Sequence, residues 1–482
     1  MHEYLTRPAV ELARRVREGL VLPTELLEFH IARIKQVNPS INALVADNFD
    51  EARKRAVAIE ADLEAGRADP NAAFLGVPFT EKELISVRDH PNTAGVVARS
   101  GTIAQEDAPL VERLRAAGGI VLGVTNVAEA GLWLESHNRV YGRTNNPHAL
   151  SRIAGGSSGG EAAIIAAGGS PMGIGADIGG SIRNPAFFNG ICGHKPSGGL
   201  LPSAGHWPPA EGDRARFCVS GPMARSVADL EAMMEVFSPA QDPYRDQGQV
   251  HFTKMAAPDP KEVTVYYFES NGLTFVSDAV KRAVGEAVSA LAERGHRVEA
   301  WRPPGLWRAA ELWMSQVSRS SSQSVRELLG DGSPIPLAKE WWKMARGRSN
   351  HPLYSLVMAS LEIVGESSDQ RSQKLRAHGI ELQREIESKL NGRGVLLCPV
   401  YPRQAPRHNH PLLSPIAFSY CGVFNVLELP ATAVPTKTWP GGLPVGVQIV
   451  GRRFDDALTL AMAALVEKSS GGFRPASPSG HT

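Results

Sequence analysis

The chain has few cysteines and no long apolar run, and each lack removes a class of protein. Only four cysteines, Cys192, Cys218, Cys398 and Cys421, occur in 482 residues. None falls into CxxC or a Cys/His ligand spacing, so no structural zinc is expected. They read as reduced, mostly buried thiols of a cytoplasmic protein. No run of about 18 apolar residues occurs, which argues against a spanning helix or integral membrane segment. The opening stretch MHEYLTRPAVELARRVREG is charged throughout and lacks the apolar segment of a secretory signal. Charge of one sign is lacking too, with 51 basic against 50 acidic residues and a net charge of +1. That leaves no electrostatic footprint for nucleic acid. No GK[ST] follows the glycine-rich GGSSGG, so that loop is not a phosphate cradle. Neither a metal nor a cofactor is expected.

What is present is a layered chain with a large apolar share, 43% of its residues, which fits a substantial core. Residues 8–65 read as helices, with Leu12, Val16 and Leu20, then Leu27, Ile31 and Ile34, at helical spacing. Asn38 and Pro39 punctuate the end of the second helix. The stretch 74–87 is strand-like, 111–117 helical, and 120–125 an apolar strand. Such alternation predicts α/β layering. Residues 240–259 read as a surface connection. Strands at 263–268 and 296–301 flank an amphipathic helix over 276–293. From 303 to 365 Trp307, Trp313, Trp341 and Trp342 mingle with Met314, Met344, Met358, Leu353 and Leu356. This predicts a helical cap, with an ordinary helical layer of core tryptophans as the alternative. Strands return at 394–399 and 445–450. The Ser/Gly/Pro-rich end, 471–482, is expected to fray.

The densest signal runs from Gly155 to Ser181, GGSSGGEAAIIAAGGSPMGIGADIGGS. Two serines in glycine frames, Ser157 and Ser181, flank a small-residue helical run, Glu161 to Ala167. Glycine beside serine lets the backbone turn tightly and bare its N–H groups to a substrate oxygen. In the DIGGS frame the N–H groups of Ile178, Gly179, Gly180 and Ser181 are expected to form an oxyanion hole. Losing one such donor costs roughly 10²–10³ in rate. Upstream, GVPFTEKEL carries Lys82 in a strand-like segment. Serine, serine and lysine, with no framed His or Asp, point to acyl transfer by an activated serine whose base is an amine. Ser181 is the nucleophile of this reading. A free lysine has a pKa of about 10.4 and holds its proton at pH 7, so Lys82 needs burial to act as the base. It would then return the proton to the leaving nitrogen. Glu81 and Glu83 flank it on the other face of a strand, with Glu81 expected in solvent. Cys192 and His194 in GICGHKP read as core packing.

These pieces resemble the amidase signature family. The resemblance rests on GVPFTEKE, GVTN, GGSSGGEAA, GADIGGSIRNPAFFNGICGHKPSGG, GPMARSVADL and GLPVGVQIVG. YGRTNNPH and NPAFFNGICGHKPS bring the chain nearest the fatty-acid amide hydrolase branch, second form. The resemblance implies a single α/β/α domain over residues 1–470, with a twisted mixed sheet between helical layers. Its signature core would span about 70–235, a helical cap about 303–365, and returning strands about 394–470. It implies that Ser157 relays protons between Ser181 and Lys82 across a cis Gly156–Ser157 bond, with Ser158 as the rival or as a helix N-cap. Asp177 and Arg183 would hold the nucleophile loop. Gly131, Leu132, Trp133 and Leu134 would lie along the substrate channel, with Ile178 beneath the scissile group. Phe187, Phe418, Phe424 and Val447 are either cavity wall or core.

The resulting expectation is an amidase cleaving hydrophobic acyl or aryl amides through an acyl-enzyme, with esters and carbamates (urethanes) as further substrates. Its partner is the small-molecule amide, and a homodimer is left open. The alternative is the glutamine-amidohydrolase subunit of a tRNA-dependent amidotransferase. That subunit's usual frame reads DTGGS, where this chain has Ile178. A non-catalytic protein on the same scaffold has no need of all three of Ser181, Ser157 and Lys82.

Overall fold

Short runs such as IVLGVT, MGIGAD, GVLLCP and GVQIV are buried along their whole length, so both of their faces need cover. The computed structural model describes residues 2–210, 212–244, 250–320, 322–364 and 369–476. In it these runs pair into one sheet. Its strands are β1 (Leu44–Asp47), β2 (Pro78–Lys82), β3 (Ile120–Thr125), β4 (Met172–Asp177), β5 (Cys192–Lys195), β6 (Val219–Ala224), β7 (Thr264–Tyr267), β8 (Arg297–Ala300), β9 (Gly394–Pro399), β10 (Ala431–Pro435) and β11 (Gly446–Val450). The spatial order is β1-β3-β2-β4-β6-β5-β10-β11-β9-β7-β8. Pairing is mixed: β3-β2-β4 and β9-β7-β8 run parallel, and the remaining neighbours run antiparallel.

Helices flank this sheet. Gly159–Ala166 packs on β2, β3 and β4, while Asp278–Ala292 and Asp456–Ser470 pack on the far half. One apolar core spans both halves, from Leu12 and Phe79 to Val265, Leu396 and Ile449. The chain is therefore a single α/β domain, with no break near residue 240. Between 240 and 259 the described residues form no helix or strand, and 245–249 lie outside the described residues.

The N-terminal helices show what periodicity misses. Helix Ala9–Arg17 stops before Leu20, which is exposed. Helix Pro23–Ile41 opens on Pro23, which suits a first turn, and runs through Pro39 to left-handed Asn42. The Asn38 side-chain oxygen accepts from the N–H groups of Ala43 and Leu44, so Asn38 fixes the exit of the helix rather than its end. That exit leads into β1, a four-residue strand inside a stretch read as all helix. Four residues are too few to show a period.

Over 303–364 the described residues form four α-helices: Ala309–Ser320, Val325–Leu329, Leu337–Ala345 and Leu353–Val364. Residue 321, like residue 365, lies outside the described residues. Leu306, Ala309 and Leu312 belong to the main core, whereas Leu329, Ile335, Leu356 and Ala359 form a small core of their own. Trp307 and Trp342 are exposed. At the other end, residues 471–476, expected to fray, lie against the body. Ala476 is buried and its N–H donates to Ala166 O at 2.8 Å. Residues 477–482 lie outside the described residues.

Candidate active site

Strand β2 carries Lys82 to its last position, opposite Thr125 of β3 and beside the end of β4. There Lys82 is buried, and its Nζ lies 2.8 Å from Ser157 Oγ and 3.1 Å from Ala176 O. Burial pulls its pKa from 10.5 down to about 7, against weaker opposing pulls from Cys218, Asp177 and Glu81. Ser157 and Ser181 share one narrow cavity with Lys82, with about 20 Å³ of free space. The Gly156–Ser157 bond is cis. A Cβ on Gly156 would stand 2.4 Å from Trp133 O, so only glycine fits there. The two serine motifs also meet through the backbone, where Ser158 N–H donates to Ser181 O at 3.3 Å.

Ser158 opens the Gly159–Ala166 helix, but its hydroxyl does not cap it. It donates instead to Ala176 O at 3.3 Å, the carbonyl that Lys82 Nζ also meets, and makes no bond to the amine itself. Of the two adjacent serines, Ser157 is therefore the one that meets the lysine.

Asp177 ends β4 and is fully buried against Arg183, whose Nε and Nη2 lie 3.0 and 3.1 Å from its two carboxylate oxygens. Burial opposes the charge, but Arg183 outweighs it and holds the carboxyl well below the usual range, so Asp177 is ionised. Its oxygens also accept from the N–H groups of Gly180 and Ile182, at 2.6 and 3.1 Å. This corrects the expected oxyanion hole. Gly180 N–H is spent on a buried carboxylate that needs donors, which leaves the N–H groups of Ile178, Gly179 and Ser181 without a partner among the described residues. Gly180 is irreplaceable for another reason. Its φ is +112°, and a Cβ would stand 2.5 Å from Asn184 Nδ2. From the helical segment, half-buried Trp313 donates Nε1–H to Ile178 O at 2.6 Å and orients the loop.

Glu81 is not in solvent. It is fully buried, its Oε1 accepts from Lys82 N–H at 3.1 Å, and its Oε2 has no partner. Burial and nearby Glu161 push its carboxyl well above the usual range, which disfavours its ionised form. Glu161 is pushed up to about 8 by burial, although the Thr80 and Thr125 hydroxyls donate to it. Glu83 gathers Thr93, Ala94 and Tyr141 around its carboxyl.

Gly131, Leu132 and Ile178 line the cavity, with Leu84, Ala130 and Pro208. Trp133 does not; it faces a neighbouring cavity, and Leu134 lines neither. Phe187, Phe424 and Val447 are core, and Phe418 packs edge-on against Trp313. His194 is buried against Asp456 and Thr432. Sequence reasoning missed His206, Arg214 and Cys218 in the cavity wall. His206 lies in a Pro/Gly-rich loop, Arg214 opens the short helix Arg214–Phe217, and Cys218 has no motif around it. Burial drives His206 down to about 3, so it is neutral. A larger cleft of about 700 Å³, lined by Tyr266, Trp301 and Lys389, shares no residue with this cavity.

Among the described residues no helix is long and apolar enough to cross a membrane, and no cluster of three or more His, Cys, Asp or Glu could hold a metal. The family model described as Amidase matches residues 25–460. The chain is similar to fatty-acid amide hydrolase 2-A of Danio rerio, at 38% identity over 97% of this chain and 89% of that protein. It is equally similar to fatty-acid amide hydrolase 2 of Homo sapiens, at 38% over 96% of this chain and 89% of that one. Among solved structures, a fatty acid amide hydrolase superposes with a TM-score of 0.80 at 23% identity, over 98% of this chain and 86% of that one, a likeness of fold.

Proposed function

The chain belongs to the amidase signature family of amide-cleaving hydrolases, and on that premise we propose that it is a serine hydrolase in which Ser181, Ser157 and Lys82 form one proton-transfer chain. The observation that carries this is a buried Lys82 Nζ held 2.8 Å from Ser157 Oγ in a cavity shared with Ser181. Neutral Lys82 takes the Ser157 proton while Ser157 takes that of Ser181, and Ser181 Oγ attacks the carbonyl carbon. The N–H groups of Ile178, Gly179 and Ser181 receive the oxyanion. Lysinium then returns the proton through Ser157 to the leaving nitrogen, because a bare amide anion leaves poorly. The C–N bond breaks, and water later releases the acyl group from Ser181.

The substrates proposed are hydrophobic acyl or aryl amides, on the strength of the apolar wall of Leu84, Ala130, Leu132, Ile178 and Pro208. Esters and carbamates present the same planar carbonyl and are further substrates. Four free, buried cysteines accord with a reducing, cytoplasmic setting. The test is purified protein, alone, with a graded series of p-nitroanilides beside glutamine, and a fluorophosphonate probe mapped by mass spectrometry. Label on Ser181 and turnover of the anilides are expected. Label on Ser158, or turnover retained in Ser181→Ala, refutes the assignment.

A further inference from the structure

The cavity at Ser181 offers about 20 Å³, about one water's worth of space. It holds the scissile group, and the rest of a substrate must lie elsewhere. Beside it is a second cavity of about 180 Å³. One stretch of chain divides them, with Gly131 and Leu132 facing the first and Trp133 the second. The position a Gly131 Cβ would take is 3.7 Å from Ser157 Oγ. Residues two apart along the chain are separated by at most about 7 Å, so the backbone that carries the wall of the second cavity passes close to Ser157.

Its aromatic wall is pinned from both sides. The Trp133 and Tyr354 rings stack with centroids 5.2 Å apart and planes within 5°. Tyr354 Oη accepts from Glu129 N–H at 2.8 Å and donates to His137 O at 2.5 Å. Buried Glu129 Oε1 pairs with His351 Nδ1 at 2.9 Å, tying the same loop to the chain that enters helix Leu353–Val364. Met344, Pro352, Leu353 and Leu412 complete the apolar side. On the polar side, which Arg139 also lines, the Glu135 carboxylate is spent on His408, Asn409 and Arg143. The His137 imidazole has no hydrogen-bond partner among the described residues. Burial, helped by Arg143, brings it down to about 4, so near pH 7 it offers one N–H and one lone pair.

We propose that this second cavity is the subsite for a single aromatic ring of the substrate, one bearing a hydrogen-bonding substituent for His137 and joined to the scissile amide across Leu132. It rests on the amidase reading above and narrows its substrate class. An apolar cavity of about 150 Å³ admits benzene, and this one, at about 180 Å³, is of a size for one substituted ring.

The test fills the cavity. Leu412→Trp and, as a second variant, Met344→Phe are compared with the parent in two ways. Calorimetry gives the Kd of 4-nitroaniline, which needs no turnover. Kinetics give the kcat/KM ratios of acetanilide to acetamide and of benzamide to acetamide. A Kd weakened about tenfold and a matching fall in one ratio are expected, the anilide ratio placing the ring on the amine side and the benzamide ratio on the acyl side. Kd and both ratios within twofold of the parent, in a variant with the parental Tm, overturn the proposal. A parent that binds 4-nitroaniline but hydrolyses none of the amides, with binding lost in the filled variants, upholds the subsite and refutes only the amidase reading.

Discussion

Lys82 is where the proposed chemistry can fail most cleanly. Burial lowers its pKa from 10.5 to about 7, which is worth roughly 5 kcal/mol in favour of the neutral amine. At pH 7 about half the molecules then hold a neutral Lys82, against on the order of one in three thousand for an ordinary lysine. The neutral form is the base, so kcat/KM on an anilide should rise with pH. The expected climb is about tenfold from pH 6 to a plateau above about pH 8, with a midpoint near 7. That midpoint belongs to the coupled Lys82–Ser157–Ser181 unit rather than to one residue. Lys82→Ala should abolish the rise and cost an amide more than an ester of the same acyl group, because an alkoxide needs the returned proton less. Lys82→Arg should not rescue, since guanidinium keeps its proton. The assay is kcat/KM against pH for a matched amide–ester pair. Equal loss on both substrates, with an unchanged profile, would refute the base-then-acid role and leave Lys82 structural.

Three further outcomes follow from the same geometry. Gly180→Ala places a methyl 2.5 Å from Asn184 Nδ2 at φ +112°; it should cost about 1–3 kcal/mol of stability and, by moving the N–H donors, roughly 10² in kcat, read by thermal melts and kinetics. Trp313→Phe deletes the bond to Ile178 O and should lower kcat/KM about fivefold, the worth of one net hydrogen bond of about 1 kcal/mol; an unchanged rate would show that the loop does not need that tether. Glu161 has its folded pKa, about 8, above the ordinary 4.5, so its contribution is full below about pH 4.5 and is lost as pH rises through 8. Glu161→Gln should therefore flatten the fall of Tm from about pH 6 to pH 9, and an equally steep fall would show that Glu161 is ionised in the folded state.

The fold was legible where apolar runs were long. Ile120–Thr125, Gly394–Pro399 and the helix Asp278–Ala292 fall where periodicity puts them. β1 was not legible, because four residues show no period and its place is set by pairing with β3. Lys82, Ser157 and Ser181 could be grouped by their glycine frames and by resemblance, and they line one cavity. Arg214, His206 and Cys218 could not, because only tertiary folding brings them there. Glu81 was misread because a charged residue on a strand is ordinarily solvated. Nothing local to TEK announces that β2 is packed against the Gly159–Ala166 helix, whose own carboxyl, Glu161, meets Thr80.

That misreading exposes how a lysine stays near pKa 7 among acids. Glu81, Asp177 and Glu161 stand on or beside the strands that carry Lys82 and Ala176, and ionised carboxylates there would each raise the lysine pKa. The structure deals with them in two ways. Asp177 is ionised, but its charge is matched by Arg183 and its oxygens are taken up by Gly180, Ile182 and Asn425. Burial pushes both Glu81 and Glu161 up, and nearby Glu161 adds to the push on Glu81, so the ionised form of each is disfavoured. Desolvation, the largest influence on Lys82, therefore outweighs the opposing pulls of Cys218, Asp177 and Glu81. The acidic cluster and the base are thus one electrostatic arrangement: a change that eased the ionisation of Glu81 would move the midpoint of the rate profile upward, while Glu81→Gln should leave it in place or move it down.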